Sequence, residues 1–530
     1  MKSGGVEAFM YSRIKSAVCL GIEGKEVLVE TDISKGLPSI SVVGLAQATV
    51  MESKDRIKSA IINSGFDYPR TRITINLMPA DLKKNSSSLD LPIAMGMLAS
   101  QRDSGIELGS DTAMIGELTL DGGVSAVKGA LPMLLCLKKE GVKKAFVPVG
   151  NLEEARIAGI NEIFPVESLR EAAEAVSMPE GAVKISGKNG AAQTWQEHGR
   201  DCYGSSDMDF GDICGQENAK RAALVAAAGR HGLLMVGSPG CGKTMLAGRI
   251  PSIMPAMSSE ELIQAAVIRS ISGIGYGNSV RDNENDGMKS RLFSPIRPFR
   301  HPHHTIGPAG LLGGGSNIAM PGEITLAHNG VLFLDEICEF NRHVIDGLRI
   351  PLEEKSITHF RRGEAYTYPC DFQLVMASNP CPCGYYGDKE RECKCSQADI
   401  DRYQNKLSGP IMDRIDMKIS MERVTYKQLT SEGRGMNSSQ MKEAVYKALE
   451  FGKSMGRKGY NSELTTAEAE RHSKLGREEK AFMREAYNAF AMSPRAYMRM
   501  LRVARTIADL DESEKIKQEH LAEALSYRMS

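Results

Sequence analysis

A short apolar run, Leu233-Leu234-Met235-Val236, feeds directly into Gly237-Ser238-Pro239-Gly240-Cys241-Gly242-Lys243-Thr244, and a helical segment, Met245 to Arg249, follows. This is the G-x-x-x-x-G-K-[ST] spacing in strand–loop–helix order, and the order matters as much as the letters. Glycines at this spacing let backbone N–H groups curl around a phosphate at a helix N-terminus. Lys243 is placed to reach the β/γ oxygens, and Thr244 to ligate Mg²⁺. A buried strand that ends this way belongs to a parallel α/β sheet, which excludes an all-helical or all-β core for this part of the chain.

A second apolar run, Gly330-Val331-Leu332-Phe333-Leu334, ends in Asp335-Glu336, 91 residues after Thr244. An acidic pair at the carboxyl end of a buried strand holds Mg²⁺ and polarises a water. Asp335 is expected on the metal side and Glu336 as general base.

The chain has 530 residues, so at roughly 100–200 residues per domain it holds about three domains. Lys+Arg and Asp+Glu are both 66, which excludes a wholly basic nucleic-acid coat while leaving room for a local basic groove. No run approaches about 18 apolar residues, and Met1 to Tyr11 has no apolar h-region. No membrane partner is therefore expected, and the expected compartment is the cytoplasm.

Residues 1–177 are expected to form an α/β unit, with strands at 27–31, 40–43 and 71–77 and helices at 91–100 and 131–139. Residues 178–207 are small and polar and read as a linker. Residues 208–425 alternate strands and helices, and 426–530 read as a helical domain.

Flanking motifs add a resemblance. Phe210-Gly211-Asp212-Ile213-Cys214-Gly215-Gln216 precedes the loop. Arg297-Pro298-Phe299-Arg300-His301-Pro302-His303-His304-Thr305 and Pro321-Gly322-Glu323-Ile324-Thr325-Leu326-Ala327-His328 lie between the two motifs. Together these residues resemble the AAA+ ATPases, and within them the magnesium-chelatase-like branch called the ComM or YifB family. The resemblance implies a P-loop AAA+ parallel-sheet core with a helical lid, preceded by a Lon-like, ribosomal-S5-like α+β domain. It implies ATP and Mg²⁺ as cofactors and a homo-hexameric ring. Asn379, at the end of Phe372–Ser378, is then sensor 1, orienting water. Arg414, in Lys406–Asp416, is the finger that reaches a neighbouring subunit's γ-phosphate, and Arg495, in Ser493–Tyr497, is sensor 2.

Eleven cysteines are present, and four cluster as Cys381-x-Cys383 and Cys393-x-Cys395, separated by nine residues. Four thiolates suit a tetrahedral structural Zn²⁺, although C-x-C is tighter than the usual C-x₂-C. The irregular spacing of His301, His303 and His304 beside Pro302 argues against a metal there and for a loop facing a pore or a neighbouring subunit.

Segments such as Asn76–Asp81, Asp90–Ala94 and Gly116–Gly122 are similar to the family's N-terminal Lon-like domain. Lon-type proteolysis needs a Ser nucleophile and a Lys base. Ser88 falls at the Ser position, but Leu131 falls at the Lys position, with Lys128 nearby, so peptide hydrolysis is not expected.

The family resemblance implies a DNA-translocating motor for branch migration in transformation and recombination. Arg291, Arg297, Arg300, the histidines and Arg361-Arg362 are candidate phosphate contacts. The alternative is a chelatase-like ATPase that remodels a protein partner without DNA.

Overall fold

The computed structural model describes residues 11–44, 48–82, 87–101, 104–179, 181–187, 208–273, 296–315, 319–361, 363–388, 390–407, 409–429 and 435–529. Most of the expected linker, together with Arg291 and Arg362, lies outside the described residues. Two compact units form, Met1–Cys202 with Leu262–Ser294, and Tyr203–Glu261 with Pro295–Ser530.

The first unit is built on an eight-stranded mixed sheet. The long hairpin Tyr11–Leu20 and Glu23–Ser34 is antiparallel, and Arg72–Met78 pairs antiparallel on its far side. Arg72–Met78 alternates buried and more open positions along its length, as the T-R-I-T-I-N-L alternation predicts. The helix Asp90–Ala99 is buried from Asp90 to Leu98, which explains its nearly continuous apolar sequence. Helix Ala130–Lys139 packs Leu131, Met133 and Leu134 into a second core.

That second core also takes Ala266 and Val267 from helix Ser259–Ser272. Ser270 Oγ donates to Glu154 Oε1 at 2.5 Å, and the backbone N–H of Leu131 donates to the same carboxylate at 3.2 Å. Asn151 Nδ2 donates to the other oxygen at 2.5 Å, so a fully buried carboxylate is satisfied on both sides. Residues from Leu262 onward therefore group with the N-terminal unit, although they fall inside the 208–425 segment. Burial, with the Glu154 charge nearby, pushes the Cys19 thiol up to about 12.

The second unit carries a five-stranded, wholly parallel sheet in the order Phe299–Arg300, Val331–Leu334, Gln373–Ser378, Leu233–Gly237, Met417–Met421. Gln373–Ser378 is buried at every position and Val331–Leu334 likewise, as expected of a sheet covered on both faces. One face packs under the alanine-rich helix Glu217–Gly229 and helix Lys243–Ile253, and the other under Ile324, Val344 and Leu348. Helices Ser438–Ser454, Thr466–Ser473, Arg477–Ala489, Pro494–Leu510 and Gln518–Met529 complete the unit, as the strand-free composition of its C-terminal segment predicts. Among the described residues no helix is long and apolar enough to cross a membrane.

Candidate functional site

Register explains why distant motifs meet. Leu334 lies beside Met376, and Met376 beside Leu234. Asp335, one residue beyond Leu334, and Asn379 and Gly237, each three residues beyond Met376 and Leu234, therefore all emerge at the carboxyl edge of the sheet, where parallel α/β sheets bind ligands.

The phosphate loop bends through Gly240 (φ 80°) and Gly242 (φ 95°), both in the left-handed region. Among the described residues no atom outside the neighbouring backbone lies within 4 Å of where a Cβ would sit on either glycine. The loop thus offers an unobstructed backbone surface directly before helix Lys243–Ile253, which fits a phosphate chain. Lys243 Nζ donates to Gly237 O at 2.6 Å, Ser238 O at 3.2 Å and Asn379 Oδ1 at 3.2 Å. Thr244 Oγ1 donates to Asp335 Oδ2 at 2.6 Å, so the hydroxyl and the carboxylate that suit Mg²⁺ are within one ion's reach. Gln216 Nε2 donates to Cys241 O at 3.1 Å, which joins the Phe210–Gln216 segment to the loop.

Glu336 adopts a positive φ of 50°, a conformation that costs a non-glycine residue about 1 kcal/mol and that clusters at functional sites. The turn directs its carboxylate toward His304, whose Nδ1 lies 3.6 Å from Glu336 Oε2. The His303 and His304 rings pack tilted against each other with centroids 4.1 Å apart, and His301 packs tilted against Phe333 at 4.8 Å. His301 and His304 both lie against the acidic strand of their own chain, where Phe333 supplies an aromatic face and Glu336 a carboxylate partner. Sequence spacing alone gave no sign of the His304–Glu336 contact.

Arg414 forms an ion pair with Glu353 of helix Arg349–Glu354. Its segment is fastened to the lid. Arg499 Nη1 donates to Ile415 O at 2.9 Å and to Met412 O at 3.2 Å. His231 bridges Asp416 (3.2 Å) and Thr506 (2.8 Å). Arg495 is exposed and lines a cavity of about 760 Å³ with Asp413, Arg484, Tyr497 and Arg502. No residue of the 237–244 loop is among the lining residues of that cavity, which Asp413, the neighbour of Arg414 in sequence, also lines.

Two expected phosphate contacts are already neutralised. Arg297, 4% exposed, pairs with Glu261 at 3.0 Å and donates to Asn329 O and Pro255 O. Arg300 forms a two-pronged pair with Glu323 at 2.6 and 2.7 Å. Arg297 is corrected as a candidate nucleic-acid contact, whereas Arg300 keeps part of its guanidinium at the surface. A buried guanidinium that leaves its carboxylate strands a charge, which is strongly unfavourable. Arg361 lies at the tip of the hairpin Ser356–Arg361 and Glu364–Pro369, next to Phe360, 71% exposed, which the sequence did not single out.

The four clustered cysteines converge. Cys381, Cys383 and Cys393 sulfurs are 3.4–3.7 Å apart, and all four Sγ atoms lie within 4.8 Å of one another. Disulfide sulfurs sit about 2.05 Å apart, whereas a tetrahedral ion with bonds of about 2.3 Å holds its sulfurs about 3.8 Å apart. The spacing fits the ion. Backbone N–H groups of Tyr385 and Lys394 hold the Cys383 thiol down to about 6, while desolvation and the neighbouring sulfurs push the Cys393 and Cys395 thiols up.

In the N-terminal unit Ser88 is fully buried and its hydroxyl donates to Ala17 O at 3.2 Å. Leu131 lies in the apolar core, and Lys128 is exposed. That arrangement gives Ser88 no base at the Leu131 position.

The loop, the acidic strand and the strand Gln373–Ser378 of the second unit together define a P-loop ATPase domain of the AAA+ type. Comparison with known proteins agrees with that class and narrows it. Residues 209–429 match the family model described as magnesium chelatase, subunit ChlI. Residues 29–151 match subunit ChlI of Mg-chelatase, and 435–528 match the magnesium chelatase subunit ChlI C-terminal model. The chain is 39% identical over 534 aligned residues to competence protein ComM of Haemophilus influenzae, covering 98% of this chain and 97% of that protein. It is 38% identical over 521 residues to the protein YifB of Escherichia coli, covering 98% and 97%. The chain belongs to the ComM/YifB family of magnesium-chelatase-like AAA+ proteins.

Proposed function

We propose that this protein hydrolyses ATP in an oligomeric ring, a homo-hexamer by family resemblance, and uses the energy to move along branched or single-stranded DNA. The observation that carries the ATPase reading is the 2.6 Å approach of Thr244 Oγ1 to Asp335 Oδ2, with Lys243 and Asn379 beside it. Gly237–Thr244 and Lys243 bind the phosphates, and Thr244 with Asp335 hold Mg²⁺. Held there, Mg²⁺ would supply neutralisation of phosphate charge. Glu336 accepts the proton of the attacking water, and Asn379 orients that water. Arg414 is read as the finger at the neighbour's site, and Arg495 as sensor 2. Cys381, Cys383, Cys393 and Cys395 are read as a structural Zn²⁺ site. The compartment is read as the cytoplasm.

The DNA reading draws on the family and on the printed name of the Haemophilus relative, a competence protein. The exposed Phe360 supports it with an aromatic face for a base, and the half-buried Arg361 beside it adds a cation. The second reading, a protein-remodelling ATPase, is favoured by the neutralised Arg297 and Arg300. ATPase rate with and without branched DNA across a salt series separates them. Stimulation that fades as salt rises supports the DNA motor. A rate unchanged by DNA at every salt supports the protein partner.

A further inference from the structure

The cysteine cluster lies one step along the chain from the nucleotide site. Asn379, which accepts from Lys243, is followed by Pro380 and then by the first cysteine. Gly384, directly after Cys383, turns with φ 83° against the phosphate loop, and a Cβ there would stand 2.7 Å from Pro239 Cδ. Further along the same segment, Asp388 accepts a hydrogen bond from Ser238 Oγ at 2.7 Å. Its side chain is 3% exposed and is held by backbone N–H groups of Glu390 (2.9 Å) and Arg391 (3.1 Å) and by Arg423 at 3.5 Å. Arg423 follows strand Met417–Met421, which is paired with the phosphate-loop strand. Ser238 and Pro239, two of the loop's own residues, are thus backed by the segment that the four cysteines gather.

We propose that a zinc ion bound by Cys381, Cys383, Cys393 and Cys395 acts as a latch on the phosphate loop, so that metal occupancy sets the affinity for nucleotide. The proposal rests on the ATPase and zinc readings above. With the ion present, the Cys381–Cys383 turn and the Cys393–Cys395 segment are tied together and Asp388 is held against Ser238. Without it, four crowded sulfurs have no common partner and the segment relaxes away from Pro239. The loop then pays an ordering cost on binding that the latched form has already met. Asp388 is a positioning residue here, since it touches the loop's Ser238 rather than the reacting atoms.

The test uses the full-length chain. Zinc content is measured first, then a nitrogen-donor chelator that prefers zinc strips the ion while Mg²⁺ is kept in excess. Affinity for a fluorescent ATP analogue is read before stripping, after stripping, and after refilling with Zn²⁺ or Co²⁺. The expected result is one zinc per chain and affinity about tenfold weaker on stripping, equal to about 1.4 kcal/mol. Refilling restores it, and the cobalt form shows the absorption of a tetrahedral thiolate site. Because a stripped chain can unfold, Asp388→Ala provides the second arm. It is expected to keep its zinc and its melting temperature yet bind the analogue about tenfold more weakly, the loss of one hydrogen bond to a charged group. A chain that binds no zinc overturns both the zinc reading and the latch. Zinc-independent affinity, or an Asp388→Ala chain that binds as tightly as the parent, overturns the latch alone. Failure of the zinc-loaded parent chain to bind the analogue overturns the ATPase reading, and the latch with it.

Discussion

His304 and Glu336 face each other across 3.6 Å, one from the segment after strand Phe299–Arg300 and the other from the turn after Val331–Leu334. Those strands are neighbours in the sheet, so a short slide between them moves the imidazole relative to the carboxylate. His304→Ala is expected to lower turnover about tenfold with little change in ATP affinity, since the base is misplaced rather than lost. Steady-state kinetics beside equilibrium nucleotide binding separates the two effects, and equal losses in both would argue against the positioning role.

Glu336→Gln keeps the shape of the side chain and removes its basicity. The variant is expected to bind ATP normally and to turn over about 10²–10⁴-fold more slowly. Undiminished turnover would mean that another group takes the proton.

Arg414→Ala is expected to bind ATP and lose about 10³-fold in turnover, the low end of what an arginine finger supplies. Mixing it with the Glu336→Gln chain is expected to restore part of the rate. Some interfaces then combine an intact acidic strand from one subunit with an intact finger from the other. Two inactive chains that stay inactive when mixed would place the finger within its own subunit.

Phe360→Ala is expected to abolish stimulation by single-stranded DNA while leaving the basal ATPase rate in place. Loss of one base–aromatic stack weakens binding by about 1–3 kcal/mol. Fluorescence anisotropy with labelled oligonucleotides reads it directly. Unchanged DNA affinity would move the search to another surface.

His328 carries a pH dependence. Burial lowers its imidazole from the ordinary 6.5 to about 4, and its Nδ1 accepts the Asp371 N–H at 3.1 Å, so the folded protein holds it neutral. The unfolded chain takes up the proton near pH 6.5, whereas the folded one resists until about 4. Stability is therefore lost as pH falls through that window, by on the order of 3 kcal/mol in full, and is flat on this account above it. Melting temperature is expected to drop between pH 7 and pH 5, and to drop less in His328→Gln. An equal drop in both chains would assign the effect to other groups.

The nucleotide loop and the acidic strand were legible because their chemistry is local. A glycine spacing, a lysine and two buried apolar runs carry the signal, and parallel register brings their ends together. The four cysteines were legible for the same reason, all falling within 15 residues. Pairings across the fold were not. Arg297 looked like a free cation until Glu261, 36 residues upstream, was seen to neutralise it. The Phe360 tip was hidden because a lone exposed aromatic between polar residues has no periodic signature. Residues 262–272 read as part of the nucleotide domain because helical periodicity says which face is apolar but not which core receives it.

That helix, Ser259–Ser272, carries a practical lesson. Its apolar residues Ala266 and Val267 are covered by side chains such as Leu131 and Leu134, more than 130 positions earlier. Excising the ATPase portion at residue 208 would discard that cover and leave a sticky strip on the product, prone to self-association. The chain is interleaved rather than modular. Gene fusions, domain swaps and truncations of this protein need to carry the N-terminal partner of the helix with them, or replace its apolar face with polar residues.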